Sequence, residues 1–437
     1  MVLLYTPNKT PKSATTMIAD ILELDYRGLG VAKINGKAWF VENALPLERV
    51  QIRVLEEKRQ YGRAVVQKIL QPSSTRQIPK CQYYGICGGC RGQHISIESQ
   101  RDAKQNALFR RLAKLQSEAI EYMPMIVGEP WHYRRRLRLS LGFNPKTKTL
   151  NIGFRQKAST EIVNITQCEV IDPILNKTLQ KLTALLRRFS QPKLLGHIEL
   201  VAADNTVVLL LRHLQNLPEN DRSLLMAFAE RENISLFVQD DHKIMHLYGE
   251  LPYYQVDGLT LWFDVRDFIQ VNAELNRTMV KTALDWLDLQ PQDHVLDLFC
   301  GMGNFTLPLS QRVKSAVGIE GVLEMVHKAQ SNAERNRCEN VQFYQADLDC
   351  SFVDKPWATQ PFNKILLDPP RTGAAFALNG LCALQAEKVL YVSCNPATLV
   401  RDAEILINSG YRIQKTAMLD MFPHTEHLES ITLFEKK

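Results

Sequence analysis

The sequence predicts a multidomain chain combining β and α/β architecture: a small N-terminal β-barrel, an α+β middle, and a C-terminal Rossmann-like α/β domain. Three observations carry this prediction. A length of 437 residues exceeds what one core holds, because single cores stop growing near ~250–300 residues. Up to about Leu70, short apolar runs alternate with polar residues and break at Gly28, Gly30, Asn35-Gly36 and Pro46. From Val265 onward, continuous apolar runs alternate with helix-length segments, which is the pattern of a doubly wound parallel sheet.

The composition is that of a globular protein, with 45% hydrophobic and 23% charged residues, and it excludes a disordered chain. No internal repeat marks a repeat scaffold. Met1 to Ser13 holds only the apolar run Val2-Leu-Leu-Tyr5, too short for a signal core or a membrane span, so the expectation is a soluble cytoplasmic protein without a membrane partner. Nine cysteines in that setting point to thiols, metal ligands or a nucleophile rather than to disulfides. A net charge of +6 permits a nucleic-acid partner without establishing one.

The barrel is expected over residues 12–70, with strands at Ile18-Ala-Asp-Ile-Leu, Gly30-Val-Ala-Lys-Ile, Ala38-Trp-Phe-Val and Val50-Gln-Ile-Arg-Val. Its last third and the linker carry Arg53, Lys58, Arg59, Arg63, Lys68, Arg76 and Lys80 against Glu56 and Glu57, a stripe suited to a phosphate backbone or to a solvated face. The middle domain, 80–264, opens on a cysteine-rich loop. A basic amphipathic helix is expected from Ser96 to Leu115, with Ala103, Leu108, Leu112 and Leu115 inward and Arg101, Lys104, Arg110 and Arg111 outward. In the strand that follows, Arg134, Arg136 and Arg138 share one face and require an anion to answer them. The last domain, 265–437, is read from the strand runs at His294, Ser315, Lys364 and Lys388.

Ligands bind such sheets at the carboxyl ends of the strands, and the motifs gather there. Asp297-Leu-Phe-Cys-Gly-Met-Gly-Asn-Phe turns the first strand into a helix, and its glycines let a cofactor approach the backbone. Glu320 ends the second strand, where a carboxylate can accept two ribose hydroxyls. Asp347 follows the third and suits an adenine amino group. A glycine loop followed by two acids, without the pyrophosphate pattern since Thr306 replaces its last glycine, points to S-adenosylmethionine rather than a dinucleotide.

Asp368-Pro-Pro-Arg closes the fourth strand. Amino-methyltransferases use such an element, but they follow it with an aromatic, and Arg371 stands here. The next strand ends in Ser393-Cys-Asn-Pro, which brings Cys394 to the same rim. An amine has no use for a thiol, whereas C5 of a pyrimidine is barely nucleophilic until a thiolate adds to C6. The C5 proton must then be removed, and Phe422-Pro-His-Thr-Glu-His-Leu-Glu supplies Glu429, Glu426, His424 and His427 as candidates. Separately, Cys81-x5-Cys87-x2-Cys90 suggests a metal site completed by Cys168, and a tight trio plus a distant cysteine is more typical of an iron–sulfur cluster than of zinc.

Taken together these motifs resemble the family of RNA 5-methyluridine methyltransferases over nearly the whole chain, most of all its branch acting on U1939 of bacterial 23S ribosomal RNA. The resemblance implies that the barrel is a TRAM domain, an RNA-binding module of the oligonucleotide-binding type. It implies a [4Fe-4S] cluster on Cys81, Cys87, Cys90 and Cys168, and cofactor contacts from Gln270, in Asp267-Phe-Ile-Gln-Val-Asn, and from Phe299, Asn304, Glu320, Asp347 and Asp368. Cys394 matches its nucleophile, and His427-Leu-Glu429 matches the end of its base motif, which favours Glu429. The implied partner is 23S ribosomal RNA, with no obligate protein partner. Two positions depart from the pattern: Ile269 replaces a common aromatic, and Glu426 adds a second carboxylate. Other readings of the residues are the same chemistry at U747 or on transfer RNA, an amino-methyltransferase, and a non-catalytic RNA-binding assembly factor.

Overall fold

The computed structural model describes residues 15–241, 243–350, 352 and 354–437; the reading of Met1 to Ser13 and the first residues of the expected barrel lie outside them. By internal contacts the chain forms two compact units. One comprises the barrel up to Lys80 with Cys90–Ala107 and His424–Glu426; the other comprises Cys81–Gly89, Leu108–Pro423 and His427–Lys437. Among the described residues no helix is long and apolar enough to cross a membrane.

In the smaller unit, the strands Thr16–Leu24, Gly30–Ile34, Lys37–Glu42, Arg49–Glu57 and Tyr61–Gln71 close into a barrel, as the alternation predicts. Alternate residues turn inward, so Ala19, Ile21, Trp39, Val41, Val50, Ile52 and Ala64 make one core. Gly62 lies against Trp39, and a Cβ there would come within 2.3 Å of the indole. Overpacking of this kind costs about 1–3 kcal/mol, so Gly62→Ala should lower the midpoint of chemical denaturation.

The basic stripe is partly internal to the unit. Arg76 binds both oxygens of buried Glu48 at 2.7 and 2.8 Å, Lys58 pairs with Glu56, and Arg63 faces Glu42. Exposed Arg53, Arg59 and Lys68 have no ion pair among the described residues and remain open to an anionic partner. The expected basic helix forms at Ile97–Leu112, but its buried line is Gln100, Lys104, Leu108 and Leu112. Spacing by four, close to the 3.6-residue helical period, puts Lys104 on that line in place of Ala103, so this lysine is not on an outward basic face.

In the larger unit, a seven-stranded sheet runs in the order Ile244–Tyr248, Ser235–Gln239, Val207–His213, Leu195–Ala202, Arg136–Asn144, Thr149–Arg155, Ile162–Asn164. The anion that answers the arginines of the Arg136 strand is Glu199 on the neighbouring strand, 3.0 Å from Arg136 and 3.7 Å from Arg138. The anion these arginines require is therefore supplied by the fold itself.

An eight-stranded sheet carries the C-terminal motifs, in the order Val341–Gln345, Ser315–Glu320, His294–Leu298, Lys364–Leu367, Lys388–Ser393, Glu429–Lys436, Tyr411–Leu419, Glu121–Tyr122. The first five strands are parallel. Strand Glu429–Lys436 runs antiparallel between its neighbours, so its first residue lies at the edge where the parallel strands end. Strand order reverses at His294–Leu298, which opens the crevice where doubly wound sheets take ligands. Asn272 and Asn395 cap the helices Ala273–Leu287 and Pro396–Asn408 through their side chains.

Candidate active site

Every strand of the parallel set delivers one of the expected residues to the same edge. The loop after Leu298 puts Phe299, Gly301 and Gly303 at φ of 65°, 55° and 96°. Glycine takes such angles freely, but for phenylalanine the left-handed region is strained, and strain of this kind gathers at binding loops. Glu320 accepts the Gly301 N–H at 3.1 Å and the Val322 N–H at 2.9 Å, which fixes it beside the loop. Asp347 is exposed and accepts from the Asp349 N–H and the Cys350 thiol. Beneath the loop, buried Asp297 accepts the Thr306 hydroxyl at 2.5 Å, and burial raises its carboxyl to about 8.

Asn304 faces a polar cluster. Its amide exchanges two hydrogen bonds with Asn276 and accepts the Tyr254 hydroxyl at 3.0 Å. Gln270 is buried at the end of a segment held by the arginine strand. Arg135 donates to the Gln270 and Val271 carbonyls, while Arg136 donates to those of Val265 and Asp267. Sequence reading missed Arg135, Tyr254 and Asn276 altogether, because their relation to the loop exists only across strands distant in the chain.

Cys394 follows Ser393, whose partner in the antiparallel pair is Ser430. Continuing that register by one residue sets Cys394 opposite Glu429, at the ~4.5–5.5 Å Cα spacing of facing residues. Thirty-five positions of sequence separate the two, and one antiparallel strand removes that distance. Asp368 ends the adjacent strand. Asn395 ties this rim together by donating to the Arg371 carbonyl at 3.0 Å, and the Arg371 guanidinium reaches His427 at 3.2 Å.

The rim is rich in acid and buried. Burial raises Asp368 to about 7, and burial with Asp368 nearby pushes Glu429 well above the usual carboxylate range. Burial, then Glu429 and Asp368, lift the Cys394 thiol to about 11, and Arg371 alone opposes the shift in both groups. Among the described residues no donor hydrogen-bonds the Glu429 carboxyl, so nothing but Arg371 favours its ionised form.

The other base candidates have structural employment. Glu426 pairs with Arg91 at 2.8 Å, and His424 is buried with its backbone and Nδ1 bonded to Gln100. His427 meets Arg371.

The cysteines expected to bind metal are less complete. Among the described residues no three His, Cys, Asp or Glu side chains are arranged to hold a metal ion. Within the larger unit, Cys81 is near enough to raise the Cys87 thiol, and both raise the Cys168 thiol, though burial is the larger cause.

The chain matches the family described as tRNA (Uracil-5-)-methyltransferase over residues 96–349 and 356–437. The chain belongs to this family. It also matches the TRAM domain over 14–66, which coincides with the barrel. Among its relatives, the 23S rRNA (uracil(1939)-C(5))-methyltransferase of Mannheimia succiniciproducens is 70% identical, with 100% of both chains covered. The enzymes of the same description from Haemophilus influenzae (strain ATCC 51907 / DSM 11121 / KW20 / Rd) and Erwinia tasmaniensis are 66% and 47% identical, again over 100% of both chains. Among solved structures, the Pyrococcus abyssi tRNA (uracil-54, C5)-methyltransferase in complex with S-adenosyl-L-homocysteine aligns with a TM-score of 0.75 at 22% identity, covering 96% of this chain and 100% of that one. That likeness establishes the shared fold.

Proposed function

We propose that this protein is a cytoplasmic S-adenosylmethionine-dependent methyltransferase that modifies C5 of U1939 in 23S ribosomal RNA. The observation that carries the chemistry is the placement of Cys394 opposite Glu429 beyond the Ser393–Ser430 pair. The identity and full coverage of the 23S rRNA relatives carry the choice of RNA.

The donor, when bound, offers an electrophilic methyl on a sulfonium. Gln270, Phe299, Asn304, Glu320, Asp347 and Asp368 are the residues assigned to hold it along the glycine loop. The uridine must leave its stack to enter the crevice. The Cys394 thiol gives up its proton to solvent and its thiolate bonds to C6, so that the C5=C6 electron pair shifts into an enolate whose C5 takes the methyl, the donor sulfur being left as a neutral thioether. Glu429 accepts the C5 proton, the double bond re-forms, and the C6–S bond breaks to free Cys394.

Arg371 is the cation that favours the ionised forms of both groups. Arg371→Met should lower kcat/KM by roughly 10–100-fold and move the rising limb of the pH–rate profile to higher pH; an unchanged profile would remove Arg371 from this role.

Release of tritium from RNA labelled at uridine C5 tests the function. A 23S fragment spanning U1939 should release tritium, while fragments spanning U747 and a transfer RNA should not. Release only from one of the latter would reassign the substrate, and methyl incorporation without release would support amine methylation. Incorporation of no methyl group would favour the assembly-factor reading.

Cys81, Cys87, Cys90 and Cys168 are proposed as ligands of a [4Fe-4S] cluster. Soft thiol donors suit iron, the Gly89 N–H already donates to Cys87 Sγ at 3.4 Å, and Asn176 clamps the backbone of Cys168 through both its N–H and its carbonyl. The cluster would supply a structural tie. Protein purified without oxygen should contain iron and acid-labile sulfide in equal amounts. Cys87→Ala should lose both, along with folding or RNA affinity; a folded Cys87→Ala protein that binds RNA normally and lacks only activity would refute the structural role.

A further inference from the structure

Arg135 is a buried cation without a counter-ion. It is 4% exposed, and its Nη2 is buried with no hydrogen-bond partner. Its Nε donates to the Gln270 carbonyl at 2.8 Å, and its guanidinium lies over the Tyr254 ring at 4.9 Å. Among the described residues no carboxylate pairs with it. Asp204 influences it, yet that carboxylate is taken by Arg277 at 2.9 Å and by the Gln255 N–H at 2.8 Å. A guanidinium stays ionised in a protein, and a buried ion normally has a paired charge. The fold has gone to some length to bury this one unpaired.

Its surroundings indicate which anion is missing. Tyr254, under the guanidinium, donates its hydroxyl to Asn304 at the end of the glycine loop, and Asn304 is paired with Asn276. Arg135 therefore connects the segment ending at Gln270 with the loop assigned to the methyl donor. A phosphate of folded RNA is carried on a bulky polymer and meets exposed cations such as Arg53 and Lys68, not a side chain this deeply covered. The compact anion of such a crevice is a small carboxylate that enters with a nucleoside.

We propose that Arg135 anchors the α-carboxylate of the amino-acid tail of the methyl donor through its unpaired Nη2. This rests on the donor lying along the glycine loop. Charge-assisted hydrogen bonds are the strong ones, and losing a buried one costs about tenfold or more in affinity.

Calorimetric titration of the full-length protein with S-adenosylhomocysteine and with its decarboxylated analogue, which keeps the amine, separates the outcomes. Wild type should prefer the carboxylated ligand. Arg135→Met should lose about tenfold or more for S-adenosylhomocysteine, with the analogue unchanged, so that the preference collapses. Arg135→Lys, which keeps a point charge, should retain part of the preference. A preference fully kept in Arg135→Met would overturn the assignment. Equal losses for both ligands in Arg135→Met and Arg135→Lys would also overturn it, and would make Arg135 a support for the Gln270 backbone. Wild type binding neither ligand would instead defeat the reading of the donor site itself.

Discussion

Cys394→Ala is expected to abolish methyl transfer, a loss of at least ~10⁴-fold, because C5 stays barely nucleophilic until a thiolate adds to C6. Binding of S-adenosylhomocysteine should be unchanged, since the glycine loop lies at the end of a different strand. With RNA carrying 5-fluorouridine at the target, wild type should form an adduct that survives denaturation, because fluorine cannot leave as a proton, and Cys394→Ala should form none. An adduct on the alanine variant would mean that another thiol attacks. The raised thiol pKa, about 11 and caused first by burial, adds a pH dependence. The thiolate fraction grows with pH, so single-turnover rates should climb through the alkaline range until the enzyme unfolds.

Glu429→Gln should separate the two halves of the reaction. Addition and methylation need Cys394, whereas release of the RNA needs the C5 proton to leave, so this variant should accumulate a methylated covalent complex on ordinary uridine RNA. Turnover should fall by roughly 10²–10⁴-fold, the usual worth of a general base. A gel of the denatured reaction shows the complex; its absence, with turnover intact, would move the base elsewhere.

The same substitution has a consequence for stability. Burial holds the folded pKa of Glu429 well above its unfolded value, so the folded state binds the proton more tightly. Whatever this group contributes to stability is complete below the unfolded pKa near 4.5 and is lost as pH rises toward the folded value. Glutamine cannot ionise, so Glu429→Gln should melt at a higher temperature than wild type near neutral pH, and the difference should vanish in acid. Thermal melts across pH measure this directly.

Much of the site was legible because its chemistry is written at strand ends. Cys394, Asp368, Glu320 and the glycine loop each terminate an apolar run, and in a parallel sheet all such ends share one edge. Glu429 was harder to place. Four candidate bases occupy six residues of sequence, and no local pattern tells which begins a strand and which turns inward against Gln100 or Arg91. The resemblance favours Glu429, and the antiparallel register sets it at the strand edge next to the Ser393–Ser430 pair. Lys104 and Arg136 show the opposite limit. Charge suggested outward faces, but helical spacing buried the lysine, and Glu199 on a neighbouring strand neutralised the arginine.

The types of the elements and of the reactive side chains are readable along the chain, because periodicity and residue chemistry are local properties. Which carboxyl lies at the strand edge beside the thiol, which basic residues have an ion-pair partner, and the burial of Arg135 without a paired carboxylate emerge only in the folded chain. Those depend on register and burial, which arise when strands remote in the chain are brought side by side.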